Sequence, residues 1–597
     1  MINTSNYDKY PEIKVEGHAC AAGWDAIAQT VVQRINDSSQ TRTVVVVECY
    51  HGVDSPEVMA RLAAALRPVL TVDAHATFKA EQQINEFVQD FVTDDPVFGY
   101  MAPLPLQGFF DEQKQQAAQA EIAAVTQGVV LLVGAGASFL APAPDVLIYA
   151  DMPRWEIQLR FRRGEVGSLG VPNRQEGFAY LYKRAFFVDW RVCDRHKKTL
   201  MDRWDYVLDT TVPATPKLVT ADGLRAALRE TVARPFRVVP FFDPGPWGGQ
   251  WLKEVCDLDR SEQNFAWGFD CVPEENSLLY RFGEHAVEVP ALDLVFSHPR
   301  ELLGEEVFAA FGDEFPIRFD FLDTMEGGNL SLQVHPLTAY IREKFGMPYT
   351  QDESYYMLDA KSDAFVYLGL KEGVVPERMM QELEAAQTQG QHFEAENHVE
   401  KWPIKKHDHV LIPAGTVHCS GANSVVLEIS ATPYIFTFKL WDWNRMGLDG
   451  KPRPISLAHG KQVIQWDRTT EWTRENILSR VEPLGQGDGW REERTGLDKT
   501  SFIETRRHWF SKAVPHHTHG VVNVLNLVEG REAVVESPTN AFAPFVVHYA
   551  ETFIVPAAVG AYTIRPCGAG LGQECATLKA SVRTPLAFNA KYANLNN

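Results

Sequence analysis

Ser331-Leu332-Gln333-Val334-His335-Pro336 decides how the C-terminal part of this chain is read. Gln333 and His335 stand two apart. Side chains alternate between the faces of a strand, so both point to one side. An amide oxygen and an imidazole converging on one point make half of a metal site. Downstream, Glu353 opens the strand-like run Glu353-Ser354-Tyr355-Tyr356-Met357-Leu358. His418 ends Ile412-Pro413-Ala414-Gly415-Thr416-Val417-His418, a tight turn that delivers a histidine onto a strand. Gln333, His335, Glu353 and His418 together offer two nitrogens and two oxygens, without sulfur. That set suits Zn2+ or another divalent metal that keeps an open position for water or substrate. Singly, each residue has a plainer reading: a satisfied core histidine, a surface amide, a surface carboxylate. The alternation and the turn favour the metal reading, with one ion per chain.

Several stretches, in order, resemble the type I mannose-6-phosphate isomerases, zinc enzymes built on cupin barrels. Trp247-Gly248-Gly249 is similar to an early Trp-Gly-Gly of that family, and Phe315 to Asp323 to the strand before its metal motif. Ser331 to Pro336 matches the first metal motif. Glu353 to Ala360, Val366 to Lys371 and Ile412 to His418 follow in the family order, and Asn523 to Gly530 resembles the opening of its last strands. The resemblance spans residues 237–597. It implies a metal-dependent aldose–ketose isomerase that interconverts mannose 6-phosphate and fructose 6-phosphate through a cis-enediol. The chain departs from the pattern at three places. Gln351, in Thr350-Gln351-Asp352-Glu353, stands where the family keeps an active-site Lys. Lys439, in Phe438-Lys439-Leu440-Trp441-Asp442-Trp443-Asn444-Arg445, stands where it keeps an Arg, retaining the charge and losing the bidentate fork. The family's Ser-Asp is not evident in Ala431-Thr432-Pro433-Tyr434. Lys439 and Arg445 are the candidate catalytic cations. The second reading is a cupin-type sugar or sugar-phosphate binding or regulatory protein that retains the metal site without isomerase activity.

Composition narrows the partners. The chain has 597 residues, which predicts two or more domains, and its net charge is −21. That charge argues against a nucleic-acid partner. It would also repel a phosphosugar, so a phosphate needs a local basic patch. The candidates are Lys405-Lys406, Lys439, Arg445, and Lys451 with Arg453. No apolar run reaches the about 18 residues of a membrane span, so no membrane partner is expected. The N-terminal residues have neither the basic nor the apolar region of a secretory signal. Eight cysteines without a Cys-x-x-Cys pair predict reduced thiols and a cytoplasmic protein. Cys419 falls on the opposite strand face from His418 and reads as packing. Homo-oligomer formation stays open.

The N-terminal part has another character. Residues 1–40 form a polar segment with one short helix pattern from Trp24 to Ile35. From Thr43 to Cys49 runs a continuous apolar strand of the buried parallel type. Helix and strand patterns then alternate: a helix from Ser55 to Leu66, a strand from Val69 to Asp73, a helix from Asp111 to Thr126, and strands from Gly128 to Gly134 and Val146 to Ala150. This predicts an α/β domain with a largely parallel sheet over residues 41–215. It resembles a uridine-kinase-type P-loop kinase whose phosphate loop is degenerate. Glu48-Cys49-Tyr50-His51-Gly52-Val53-Asp54-Ser55 has one glycine where the motif has two, and Asp54 stands at or beside the expected Lys. The domain is therefore expected to be nucleotide-binding-deficient and to serve assembly or regulation. Residues 196–236 read as a connector. The strand-rich remainder predicts a mainly-β cupin (double-stranded β-helix) region, with a first, metal-binding cupin at 237–440, a second at 441–597, and a helical insertion from Pro376 to Gln389.

Overall fold

The computed structural model describes residues 5–38, 40–431, 434–447, 450, 453–496 and 501–584. The chain forms two compact units. One comprises Glu12–Glu230 and Ser277–Ser297; the other comprises Met1–Pro11, Thr231–Asn276 and His298–Asn597.

The first unit is built on a seven-stranded sheet in the order Cys20–Ala22, Lys217–Thr220, Tyr206–Asp209, Val146–Asp151, Arg42–Cys49, Gly128–Gly134, Leu70–Asp73. The five strands from Tyr206–Asp209 to Leu70–Asp73 run parallel. Val44 to Val47 are β-branched and fully enclosed, as a strand covered on both faces requires. The helices Trp24–Asn36 and Ser55–Leu66 lay Ile27, Val31, Val58 and Leu62 against Val45, Val47, Leu131 and Ile148. Each such side chain contributes roughly 1.5–3 kcal/mol by leaving water.

Three boundaries differ from the sequence reading. Residues 196–236 are not a connector: Tyr206–Asp209 and Lys217–Thr220 form an antiparallel hairpin in the sheet, and the helix Ala221–Thr231 follows. Pro213 and Pro216 lie in that hairpin's turn, which a boundary at 215 would cut. Residues 1–40 are not a separate segment, because Cys20–Ala22 pairs with Lys217–Thr220. Strands of three or four residues are too short to show a period. Residues 277–297 belong to this unit and not to the first cupin. Their hairpin Ser277–Phe282 and His285–Pro290 pairs with Glu12–Val15. Lys197 forms buried ion pairs with both Asp151 and Asp293. A division into contiguous stretches cannot detect a hairpin lent to an earlier unit.

The second unit contains two sandwiches. In the first, a six-stranded sheet runs His409–Ile412, Glu353–Ala360, Ser424–Ser430, Arg318–Asp323, Trp267–Cys271, Phe241–Asp243. Its companion runs Val399–Pro403, Phe365–Leu370, His418–Ser420, Leu332–Val334, Phe438–Trp441. In the second sandwich, Val481–Gly487, Trp490–Thr495, Ile503–Phe510, Cys575–Val582, Asn523–Glu529 and Thr552–Val555 form one sheet. Val514–His517, Ala561–Pro566, Glu532–Glu536 and Phe545–His548 form the other. The helix Pro376–Gln389 lies where the insertion was expected, with proline in its first turn and Gly390 at φ 68° after its end.

Candidate metal centre

Three neighbouring strands of the first sandwich carry one row of side chains. Gln333 pairs with His418 on one side and with Lys439 on the other. Glu353 begins a strand of the other sheet, opposite Ile412 and Ser430. His335 follows the strand Leu332–Val334, and its carbonyl accepts from Gly415 N at 3.0 Å. Gly415 sits at φ 88° with Gln465 and Val463 crowding the place of a Cβ, so the turn that presents His418 needs glycine.

The side chains converge in a buried pocket of polar atoms. Glu353 Oε1 lies 3.0 Å from His335 Nε2 and 2.7 Å from His418 Nε2. Gln333 brings its amide to the same place, 3.2 Å from His418 Nε2, and a half-turn of that amide presents its oxygen. His418 Nδ1 lies 2.9 Å from the Thr416 carbonyl and His335 Nδ1 3.4 Å from that of Phe436. A carbonyl only accepts, so each Nδ1 donates and each Nε2 turns a lone pair inward. Despite their approach, His335 Nε2 and Glu353 Oε1 have no hydrogen-bond partner. Buried atoms left in that state are costly, and two inward lone pairs beside a carboxylate are what a divalent cation takes up. Ligand atoms of His335, Glu353 and His418 all lie within 4.8 Å of one another. The donor set therefore fits such a cation. Burial alone would raise the Glu353 carboxyl, and only positive charge beside it, from protonated His335 and His418, brings it well below the usual carboxylate range.

Behind these groups stand Gln351, which the sequence reading singled out, and two carboxylates that it missed. Gln351 donates from Nε2 to Glu353 Oε2 at 2.8 Å and to Glu428 Oε1 at 3.2 Å. Glu428 is directly opposite Asp320 on the next strand. Burial, then Asp320 and Glu353, push the Glu428 carboxyl well up. Burial and Glu353 push Asp320 up to about 8. The signal was present: Glu428 interrupts Ser424-Val425-Val426-Leu427-Glu428-Ile429-Ser430, and a carboxylate inside an apolar strand needs a reason.

The candidate cations divide sharply. Arg445 donates to Asp442 Oδ1 at 2.7 Å and to the Asn329 carbonyl at 2.5 Å, and Arg453 holds Asp442 Oδ2 at 2.8 Å. Both guanidinium groups tie down the loop beyond the last strand, and Ser331 Oγ joins them at Asp442. Lys406 pairs with Glu529 at 2.6 Å, Lys405 is exposed, and Lys451 lies outside the described residues. Lys439 is half-buried, and among the described residues no hydrogen bond or ion pair engages its ammonium. Burial, then Arg453, lower it to about 8, with Asp442 opposing. Cys419 is buried as expected.

Residues 23–233 match a family described as Domain of unknown function (DUF8485). Over 227 residues, 38% of this chain and 66% of the relative, the sequence is 25% identical to the mannose-6-phosphate isomerase ManA of Bacillus subtilis. Over 220 residues, 36% of this chain and 64% of the relative, it is 25% identical to a mannose-6-phosphate isomerase of Streptococcus mutans. Among solved structures, a mannose 6-phosphate isomerase from Bacillus subtilis superposes with a TM-score of 0.47 at 17% identity, covering 58% of this chain and 99% of that one. The sequence matches span about two thirds of the length of these curated relatives.

Proposed function

We propose that the two-sandwich unit is a metal-dependent aldose–ketose isomerase of sugar phosphates, interconverting mannose 6-phosphate and fructose 6-phosphate through a cis-enediol. The observation that carries this reading is the convergence of His335, Glu353 and His418 on one buried point, with Gln333 beside them. Sequence similarity to mannose-6-phosphate isomerases supports it. Gln333, His335, Glu353 and His418 would hold one Zn2+ or another divalent metal per chain, which supplies a Lewis acid for the sugar oxygens.

The chain's own groups do the rest. Gln351 fixes Glu353 Oε2, leaving Oε1 toward His335 and His418. In this reading Glu428, a buried carboxyl whose Oε1 accepts from Gln351 Nε2, would take a proton from C2 of the aldose and return it to C1. Burial, then the neighbouring Asp320 and Glu353, push its carboxyl well up, and a cation on Glu353 would relieve the last of these, so that Glu428 could lose its proton and serve as a base. Lys439 offers three N–H donors to the anionic oxygens of the substrate, in a chain whose net charge of −21 opposes them. The α/β unit is read as a uridine-kinase-like domain without a phosphate cradle. Asp54 caps the helix Ser55–Leu66 by accepting from Glu57 N at 3.0 Å, so a carboxylate occupies the position a phosphate would take. Among the described residues no helix is long and apolar enough to cross a membrane, and a cytoplasmic location belongs to the same proposal.

Turnover of a panel of aldose phosphates by the zinc-loaded full chain is the test. Activity on mannose 6-phosphate supports the reading. Full metal with no turnover on any member transfers the assignment to the binding-protein alternative, for which Gln351 in place of Lys is the favouring observation.

A further inference from the structure

The α/β unit has a cleft beyond the C-terminal ends of its parallel strands, the place where open sheets of this kind bind ligands. The cleft measures about 870 Å³, within the roughly 300–1,000 Å³ of small-molecule sites. Residues just past the strand ends line it: His51 after Arg42–Cys49, His75 after Leu70–Asp73, Ala135 after Gly128–Gly134 and Thr210 after Tyr206–Asp209. Arg160 donates to the carbonyls of Gly52 and Thr210, which holds two of these ends side by side. Its Nε donates to Glu156 at 2.9 Å, so this cation is committed to the structure.

Three residues that line this cleft each hold a buried polar atom without a hydrogen-bond partner: Trp24 Nε1, His51 Nδ1 and Thr210 Oγ1. His51 and Thr210 are only 5% and 6% exposed. His51 Nε2 lies 2.9 Å from the Gly167 carbonyl, which only accepts, so that nitrogen carries the hydrogen. Burial lowers the imidazole and keeps it neutral, which leaves Nδ1 as an acceptor. The indole N–H only donates, and the Thr210 hydroxyl does either. A ligand that answers all three must both give and take hydrogen bonds, as a row of hydroxyls does. Each atom left unanswered costs about 1–3 kcal/mol.

The charge along the cleft suits an anion. Lys79 and Lys114 both line it. Lys79 Nζ donates to the Gly108 carbonyl at 2.7 Å and lies over the Phe87 ring; Lys114 Nζ donates to the Phe78 carbonyl at 2.8 Å. Lys79 N also donates to the Phe109 carbonyl, so both ammonium groups stand where these two segments meet. Among the described residues neither lysine has a carboxylate partner. The acids of the cleft are engaged elsewhere: Asp54 with Glu57 N, Glu57 with Arg61, Asp73 with His75 N and Glu165 with Arg163. We propose that this cleft binds a sugar phosphate, with Lys79 and Lys114 on the phosphate and His51, Thr210 and Trp24 on the hydroxyls. The Asp54 carboxylate occupies the helix start, so the phosphate is placed at the lysines and not there. The inference does not depend on the isomerase reading of the other unit.

The test is calorimetry of the zinc-loaded full chain with fructose 6-phosphate, the wild type beside a double variant, Lys79→Met with Lys114→Met. The double variant is expected to bind one molecule fewer per chain, with zinc content unchanged. A site at the metal centre is common to both proteins, so failure of the isomerase reading lowers both counts by one and leaves their difference. Thr210→Val should weaken the α/β site about threefold, as loss of one neutral hydrogen bond requires. Fructose and inorganic phosphate, given separately, should each bind about tenfold or more weakly than the ester. Where the double variant does not fold, Thr210→Val and Lys114→Gln, a change on an exposed side chain, decide. Three results overturn the proposal: unchanged stoichiometry and affinity in the folded variants, an ester that binds no tighter than inorganic phosphate, or tighter binding of uridine monophosphate at this site.

Discussion

Gln333 and Lys439 are register partners on adjacent strands, with His418 paired to Gln333 from the other side. One row across the sheet therefore passes from a metal-type imidazole through an amide to an ammonium. Under the proposed function such a row would set a cation-binding point beside an anion-binding one at the spacing of neighbouring strands, about 5 Å per step. A phosphosugar needs both.

Metal content should follow the converging side chains. Wild-type protein is expected to carry one zinc per chain, and His335→Ala and His418→Ala to lose most of it. Elemental analysis of the three purified proteins is the check. A ligand at a thousand times its dissociation constant stabilises the fold by about 4 kcal/mol, so chelation should lower the melting temperature of the wild type and barely move that of His418→Ala. Equal metal in all three proteins would remove the site.

The buried Lys197 ion pairs should matter for stability. Lys197→Met removes the partner of both Asp151 and Asp293 and leaves their carboxylates in the interior. Breaking a buried pair from one side costs about 3–5 kcal/mol. Denaturant unfolding should show that loss in the transition of the α/β unit, while metal content stays constant.

Much of this architecture was legible because its elements are long or carry punctuation. The run Thr43 to Cys49 reads as a buried strand from β-branched content alone, and the helix Pro376–Gln389 is bounded by proline and glycine. The convergence of Gln333, His335, Glu353 and His418 was legible because Gln333 and His335 alternate and Pro413 to Gly415 mark a turn. Glu428 showed as a lone carboxylate in an apolar strand, but its meeting with Asp320 was not legible, since it depends on which strands pair, and pairing is non-local. The hairpin Ser277–Phe282 and His285–Pro290 was seen as strand-rich sequence, but its membership in the earlier unit is fixed by contacts with Glu12–Val15 and Lys197.

The α/β unit should not bind Mg-ATP. Its first loop lacks the lysine and second glycine of a phosphate cradle, and Asp54 already satisfies a backbone donor at the helix start. The full chain is the right sample, because a fragment ending at residue 236 would lack the hairpin that the unit contains. Calorimetry should give no heat of binding; a micromolar dissociation constant would refute the expectation.

Lys439 is expected to hold substrate oxygens. Lys439→Ala should lower kcat/KM by roughly 10²-fold, about 2.7 kcal/mol, the scale of one charged contact realised in the transition state. Lys439→Arg should keep much of the activity, since the charge survives. The pH profile supplies a second, independent readout. A lysine contributes its charge below its pKa, and burial with Arg453 brings Lys439 to about 8. Wild-type kcat/KM should therefore fall as pH rises through about 8. Lys439→Arg should abolish that alkaline fall, because a guanidinium stays charged there. Metal content is the control and should be unchanged in both variants. Normal turnover by Lys439→Ala would shift the role elsewhere. Arg445 is then the next candidate, although Asp442 and the Asn329 carbonyl already claim its donors.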